Sequence, residues 1–103
     1  KEPDYALEQS QLSTIVEAME MFPNQVKVQA NGCALIANLA SNEVNGERLA
    51  EDGIGAIAIA MKQFPNNIHV QASGLAAWSG LAIHNNVHKV EIVKAGGIGL
   101  VLQ

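Results

Sequence analysis

A 42-residue period constrains this chain more than any other feature of its sequence. The stretch FPNQVKVQANGCALIANLA at residues 22–40 is followed by FPNNIHVQASGLAAWSGLA at residues 64–82. A shift of 42 aligns identical amino acids at ten positions, which in the first copy are Phe22, Pro23, Asn24, Val28, Gln29, Ala30, Gly32, Ala34, Leu39 and Ala40. A period of this length is typical of chains that stack repeated units and work through the surface that stacking creates.

The segment ahead of each copy has the apolar spacing of an amphipathic helix. Apolar residues recur at i, i+3, i+4, i+7 and i+10 in both units. They are Leu12, Ile15, Val16, Met19 and Phe22 in the first unit and Ile54, Ile57, Ala58, Met61 and Phe64 in the second. A third copy begins at Ile98, Val101 and Leu102. Because aromatic residues make up only 4% of a chain rich in alanine, helices are favoured over strands, and we predict an all-α fold.

Proline, asparagine and glycine predict where these helices begin and end. The Phe-Pro-Asn triplets at 22–24 and 64–66 predict a helix end, because proline disfavours helical geometry in the residue before it, and offer their asparagines as the next N-caps. Gly53 and the pair Gly96 and Gly97 precede apolar stripes, where a C-capping glycine would turn the chain. Short helices then fit at about residues 44–51 and 87–95, so each unit is predicted to contain three helices.

These features resemble armadillo repeats. The resemblance rests on the period, the three helices, the third-helix segments VQANGCALIANLA and VQASGLAAWSGLA, and RLAEDGI and EIVKAGGI at the junction into the next second helix. It implies an α-α superhelix, a right-handed solenoid whose third helices line a concave groove that holds extended peptides or partner proteins. It also implies a scaffold rather than a catalyst. HEAT repeats are the near neighbour, but they usually have two helices per unit and lack this glycine junction.

The third helices have a narrow polar line on an otherwise apolar surface. At 100° per residue, one line runs along each of them. It contains Lys27, Asn31, Ala34, Asn38 and Asn42 in the first unit, and His69, Ser73, Ala76, Gly80 and His84 in the second. Most of these side chains are short and uncharged, so the backbone of a partner could approach closely and exchange hydrogen bonds. We predict that this line is a partner-binding groove, and the alternative is that its small residues only allow neighbouring helices to pack.

The resemblance gives Asn38 a specific role and places Trp78 elsewhere. Armadillo proteins often carry at the Asn38 position an asparagine that hydrogen-bonds the main chain of a bound peptide, but Gly80 occupies that place in the second unit. Ala34 and Ala76 replace the tryptophan that nuclear-import adaptors carry one turn earlier, which disfavours that class. Trp78 falls on the apolar flank, so we interpret it as a core residue whose indole N–H reaches a carbonyl or water, with a binding anchor as the alternative.

The flank itself is predicted to be packed against neighbouring helices. Its residues in the first unit are Val28, Gly32, Leu35, Ile36 and Leu39. Cys33 lies among alanine and glycine with no adjacent base, so it is interpreted as a small core residue rather than a nucleophile.

Charge and composition limit the partners. Six Lys and Arg against ten Asp and Glu give a net charge of −4, the wrong sign for a protein that neutralises phosphates, so no nucleic acid is expected. The longest apolar stretch, residues 53–61, is far shorter than the roughly 20 residues of a membrane span, so no membrane is expected. A single cysteine and the lack of a signal-peptide pattern lead us to expect a cytoplasmic protein, with the nucleus as an alternative.

No motif in the sequence indicates catalysis, a cofactor or a metal. His84 and His88 stand four residues apart, but Asn85 and Asn86 suggest a loop and no third ligand is near, which favours two solvated histidines over a metal site. Neither paired carboxylates in an apolar setting, nor a nucleophile with a base, nor a phosphate-binding loop is present. We therefore predict that the chain is not an enzyme and binds no cofactor.

The repeat boundaries predict a single segment over residues 1–103. It divides into a partial repeat at 1–41, a full repeat at 42–83 and the start of another at 84–103, whose apolar side nothing covers. We expect a piece excised from a longer array, or self-association through uncapped ends. Two function classes remain open. One is a protein-binding scaffold, and the other is a structural or regulatory segment of a larger multidomain protein, including an enzyme such as a kinase, that docks intramolecularly or self-associates.

Overall fold

The computed structural model describes residues 6–83 and 85–96, and five helices lie in that part of the chain. They are α1 (Gln9–Met21), α2 (Val26–Leu39), α3 (Glu43–Gln63), α4 (Ile68–Ile83) and α5 (Asn86–Lys94). No strand occurs in these two ranges, so the predicted all-α class is confirmed. None of the five helices is long and apolar enough to cross a membrane. The third copy predicted from residue 98 lies outside the described residues.

Helix α3 is the centre of the molecule and contacts each of the other four helices. Helices α2 and α4, the third helices of their units, form the most extensive helix pair. Phe22, at the end of the first predicted stripe, is 46% exposed, but most other apolar side chains of the two stripes are buried as expected from their helical spacing. They include Leu12, Val16, Met19, Ile54, Ile57 and Met61. The 42-residue period therefore places equivalent helices side by side around one core.

The continuity of α3 corrects the prediction of three helices per unit. The short helix expected at 44–51 and the helix expected after Gly53 are one helix of 21 residues. Leu49, Gly53 and Ile57 are all buried at intervals of four residues, so the apolar face crosses the glycine without a change of phase. Gly96, by contrast, has a φ of 101° directly after α5, which is the C-capping role predicted for it. Packing along α3 outweighs the cost of about 1 kcal/mol of an interior glycine.

The two Phe-Pro-Asn triplets end helices as predicted, but the N-caps lie one residue later than predicted. Helices α1 and α3 end at residues 21 and 63, immediately before the triplets. The amide of the fourth residue, Gln25 or Asn67, then binds the phenylalanine carbonyl at 3.1 or 3.2 Å, so the turn occupies four residues. Gln25 is the N-cap of α2, and Asn67 Oδ1 accepts from the Val70 amide at the start of α4 at 3.0 Å.

Gln29 and Gln71 join the end of one helix to the next. Each is a repeat equivalent of the other, and each side-chain nitrogen donates to two carbonyls at the end of the preceding helix. The acceptors are Met19 (2.8 Å) and Phe22 (2.9 Å) for Gln29, and Met61 (2.9 Å) and Phe64 (3.1 Å) for Gln71. The last carbonyls of a helix have no partner within it, so these glutamines provide a donor for the Met19 and Met61 carbonyls. They give a second donor to the phenylalanine carbonyls, which also accept from the backbone amides of the turn.

Candidate partner-binding groove

A groove of about 440 Å³ lies between α2 and α4. Its walls come from equivalent parts of the two helices, and its lining residues are Val26, Lys27, Ala30, Asn31, Ala34, Asn67, His69 and Ser73. Five residues of the predicted polar line, Lys27, Asn31, Ala34, His69 and Ser73, are thereby brought together around one concavity. The groove occupies the N-terminal halves of the two helices.

Four of the five polar side chains that line this groove have no partner within the part of the chain that the structure describes, and the fifth, Asn67, caps the start of α4. Lys27, Asn31 and His69 are exposed and Ser73 is half-buried, and none of these side chains makes a hydrogen bond or ion pair there. The buried Gln29, only two residues from Lys27, makes two hydrogen bonds. The side chain of Gln29 is thus satisfied within the fold, whereas the groove presents donors and acceptors to solvent.

The C-terminal ends of the same helices are close together. A Cβ atom added at Gly80 would lie 3.1 Å from Ala40 Cβ, so Gly80 is where α4 approaches α2. Asn42 lies beyond α2 and acts as the N-cap of α3, its Oδ1 accepting from the Asn45 amide at 3.0 Å. These two members of the predicted line therefore have packing and capping contacts instead of lining the concavity.

The remaining members of the predicted line are separate from the concavity. Asn38 and Ala76 are exposed on their helices but do not line it. His84 is outside the described residues. The sequence could not show this division, because the angle between two helices decides where a line of residues is open and where it is closed.

A comparison with known protein families places the chain in one of them. The model of the LRRK2 ARM repeat matches residues 8–94, which run from the N-cap of α1 to the last residue of α5. The chain belongs to this armadillo repeat family. No curated protein and no solved structure gave a match. Armadillo repeats generally mediate protein interactions and are generally non-catalytic.

The number of helices in the full unit does not decide between armadillo and HEAT repeats. Because α3 is continuous, the full unit contains two helices, α3 and α4, as HEAT repeats usually do. The absence of a separate short helix therefore does not distinguish the two classes in this chain. The armadillo family is shown by the match over all five helices instead.

The armadillo core contains two residues whose chemistry raised functional alternatives. Trp78 is 3% exposed and its Nε1 donates to the Ile54 carbonyl at 3.3 Å, which confirms the core interpretation. Cys33 is fully buried, and burial raises the pKa of its thiol to about 11, so it remains a neutral thiol near pH 7. Leu35, expected on the packed flank, is 48% exposed. It lies on a side of α2 that no described helix covers.

His88 corrects the prediction of a loop histidine. It lies on α5, is buried, and places Nδ1 2.8 Å from the Leu81 carbonyl and Nε2 3.6 Å from the Glu47 carboxylate. Glu47 also accepts a hydrogen bond of 2.9 Å from Asn85 Nδ2. These contacts connect α3, α4 and α5. Within residues 6–83 and 85–96, no three His, Cys, Asp or Glu side chains are grouped to hold a metal ion.

A second hollow, of about 540 Å³, lies between α3 and α5. Its polar lining includes Glu47, Glu51, His88, Glu91 and Lys94. Glu47 and His88 are already engaged in the contacts that hold α5, so this hollow is partly a structural junction. The groove between α2 and α4 is the better candidate site, because four of its five polar side chains make no hydrogen bond or ion pair with the described residues.

Proposed function

We propose that this chain is a non-catalytic scaffold that binds an extended segment of a partner protein in the groove between α2 and α4. The observation that carries the proposal is the set of unpartnered polar side chains at Lys27, Asn31, His69 and Ser73 around one concavity. In the proposed arrangement the units form a right-handed superhelix with these helices on its inner side. The single, buried cysteine suits a reducing compartment, so the proposal places the chain in the cytoplasm.

Blocking the groove is expected to remove the partner. In the double variant Asn31→Arg, Ser73→Arg, two long side chains fill the concavity from both walls. Asn31 is exposed and Ser73 is half-buried at the open groove, and neither side chain makes a hydrogen bond to a described residue, so the fold should be retained. A partner recovered by the parent chain from cell extract at fixed salt should be at least about tenfold depleted with the variant, since interface cores carry most of the binding energy. Recovery is measured by quantitative mass spectrometry, and the fold by circular dichroism.

A matched control separates the groove from the added charge. The double variant Ser10→Arg, Asn86→Arg makes the same chemical changes at exposed positions of α1 and α5, outside the groove. It should recover the same partner as the parent. If the groove variant and this control recover the partner equally, the groove is not the working surface.

An exposed apolar stripe on α4 favours a second candidate function, self-association. Ile68, Leu75 and Ile83 recur at intervals of seven and eight residues on one side of the helix, and Ile68 and Ile83 are 78% and 69% exposed. Ile68 and Leu75 stand 42 residues after Val26 and Cys33, so this side of α4 is equivalent to the side of α2 that carries the fully buried Cys33. Ala37 and Ala40, four and seven residues after Cys33 on the same side of α2, are what Gly80 of α4 approaches. The chain thus presents to solvent, on α4, the equivalent of one half of its own α2–α4 interface.

The other half is presented by α2. Leu35 is exposed, whereas its repeat equivalent Ala77 is fully buried in α4. We propose that the α4 stripe of one copy packs on the Leu35 side of α2 in a second copy, which repeats the internal interface from head to tail. Such a contact does not close on itself, so the assembly should grow with concentration.

Sedimentation velocity at increasing concentration tests self-association. The parent should shift to larger species, and Leu75→Glu should remain monomeric because it places a charge in the centre of the stripe. Met21→Glu makes an equivalent change at an exposed residue of α1 and should behave like the parent. A parent that stays monomeric throughout contradicts this second candidate and leaves the groove proposal unaffected.

A further inference from the structure

The groove also has a charge preference, and this inference rests on the proposed function. We infer that the groove selects partner segments that carry an aspartate or glutamate, whose carboxylate is held between Lys27 and His69. The partner is therefore an acidic extended peptide rather than an extended segment of any composition.

Lys27 and His69 lie where both side chains can reach one carboxylate. The two residues are 42 apart, and each is the second residue of its helix, so they are repeat equivalents on adjacent walls of the same groove. Packed helices lie about 8–10 Å apart, a distance that the four-carbon stem of a lysine largely spans. One carboxylate can therefore accept from the Lys27 ammonium and from a ring N–H of His69.

The charged groups around the groove favour an acidic ligand. The sequences of α2 and α4 contain no aspartate or glutamate, although the chain has ten acidic residues and a net charge of −4. None of the residues lining the groove is acidic. Lys27 is exposed and forms no ion pair with any residue that the structure describes. No acidic residue among those described neutralises its charge, so in this part of the chain the groove is a cationic site on an anionic protein.

Neighbouring polar groups can bind the backbone of the same segment. Asn31 and Ser73 each lie four residues, or about 6 Å of helix, beyond Lys27 and His69. Two residues of an extended chain cover about the same distance. A segment whose carboxylate meets Lys27 can therefore place a peptide group beside Asn31 and Ser73. The carboxylate supplies selectivity, and the amide and hydroxyl supply contacts that any sequence can make.

Titration with three matched peptides tests the inference. The probes are acetylated and amidated octamers of serine and glycine that carry either two glutamates, two glutamines or two lysines at the same central positions. Backbone amide shifts of the isotope-labelled full chain report binding and its location. At low salt the glutamate peptide should bind α2 and α4 about tenfold more tightly than the glutamine peptide, since the extra free energy of a hydrogen bond to a charged group corresponds to roughly that factor in affinity. The lysine peptide should bind most weakly.

A charge-reversal pair assigns the effect to Lys27. Lys27→Glu should abolish the advantage of the glutamate peptide, and Lys89→Glu, which changes the net charge equally at an exposed position of α5, should retain it. Equal binding of the glutamate and glutamine peptides in the groove would overturn the charge selectivity and support the scaffold function. A glutamate advantage that survives Lys27→Glu would overturn the assigned site. If none of the peptides shifts residues of α2 and α4, both the charge selectivity and the groove function are wrong.

Discussion

Replacing Trp78 with alanine is expected to lower the free energy of unfolding by about 3–5 kcal/mol, the usual cost of deleting a large aromatic side chain from a core. Trp78 is 3% exposed on α4, and its indole N–H is bonded to the Ile54 carbonyl of α3. The substitution removes both the packing and the hydrogen bond between these two helices. Domains of this size have a total stability of about 5–15 kcal/mol, so the variant should be marginally folded.

Urea unfolding followed by far-ultraviolet circular dichroism measures this loss without relying on the fluorescence of the deleted residue. Trp78→Phe retains most of the ring volume and loses the indole N–H, so it should cost less than the alanine variant. Leu75→Ala removes an exposed side chain from the same helix and should change stability by less than about 1 kcal/mol. If Trp78→Ala costs no more than Leu75→Ala, Trp78 does not hold α3 to α4, and its alternative role as a binding anchor returns.

The repeat period was sufficient to predict most of the helices. Helices α1, α2 and α4 follow directly from the apolar stripes and the Phe-Pro-Asn triplets, and α5 lies within one residue of the predicted 87–95. The prediction was wrong at Gly53, where a local glycine signal disagrees with the longer apolar period of α3. Gly53 was interpreted as a helix end because glycine commonly follows helices, but the apolar face of α3 is in phase on both sides of it.

The candidate site was predictable only in part, because the sequence defines a line of residues and not the space beside it. Lys27 and His69 lie on an open part of that line, but Gly80 lies where α4 approaches Ala40 of α2. The convergence of the two helices depends on side-chain volumes at their contact, which periodicity does not contain.

The hydrogen-bond partners of Gln29 and Gln71 also could not be predicted from the sequence. The two glutamines are identical across the repeat, yet no local rule indicated what they bind, because their carbonyl acceptors lie seven and ten residues away across a turn. His88 was missed because the asparagines beside it suggested a loop, whereas Asn85 is the N-cap of the helix that carries it. In both cases the polar residue serves a helix end, a role that depends on where the neighbouring helix stops.

The double variant Gly32→Ala, Gly74→Ala is expected to lose about 2–6 kcal/mol of stability, or about 1–3 kcal/mol for each overpacked site. A Cβ at Gly32 would lie 2.6 Å from Met19 Sδ, and one at Gly74 would lie 2.5 Å from Met61 Sδ. Both methionines are buried, so neither side chain can move aside into solvent. The two sites contact different methionines, so their costs should add within a few tenths of a kcal/mol.

Gly55→Ala is the matched control for this substitution. Gly55 lies inside α3, is exposed, and has no atom within 4 Å of an added Cβ, so alanine should stabilise the chain by up to about 1 kcal/mol through its helix propensity. The same chemical change thus has opposite signs depending on whether a methionine faces the glycine. Adding Met61→Ala to Gly74→Ala should cost less than the sum of the single changes, because removing the thioether relieves the clash. Urea unfolding measures the costs in this cycle. If they are additive, the cost of Gly74→Ala does not come from a clash with Met61.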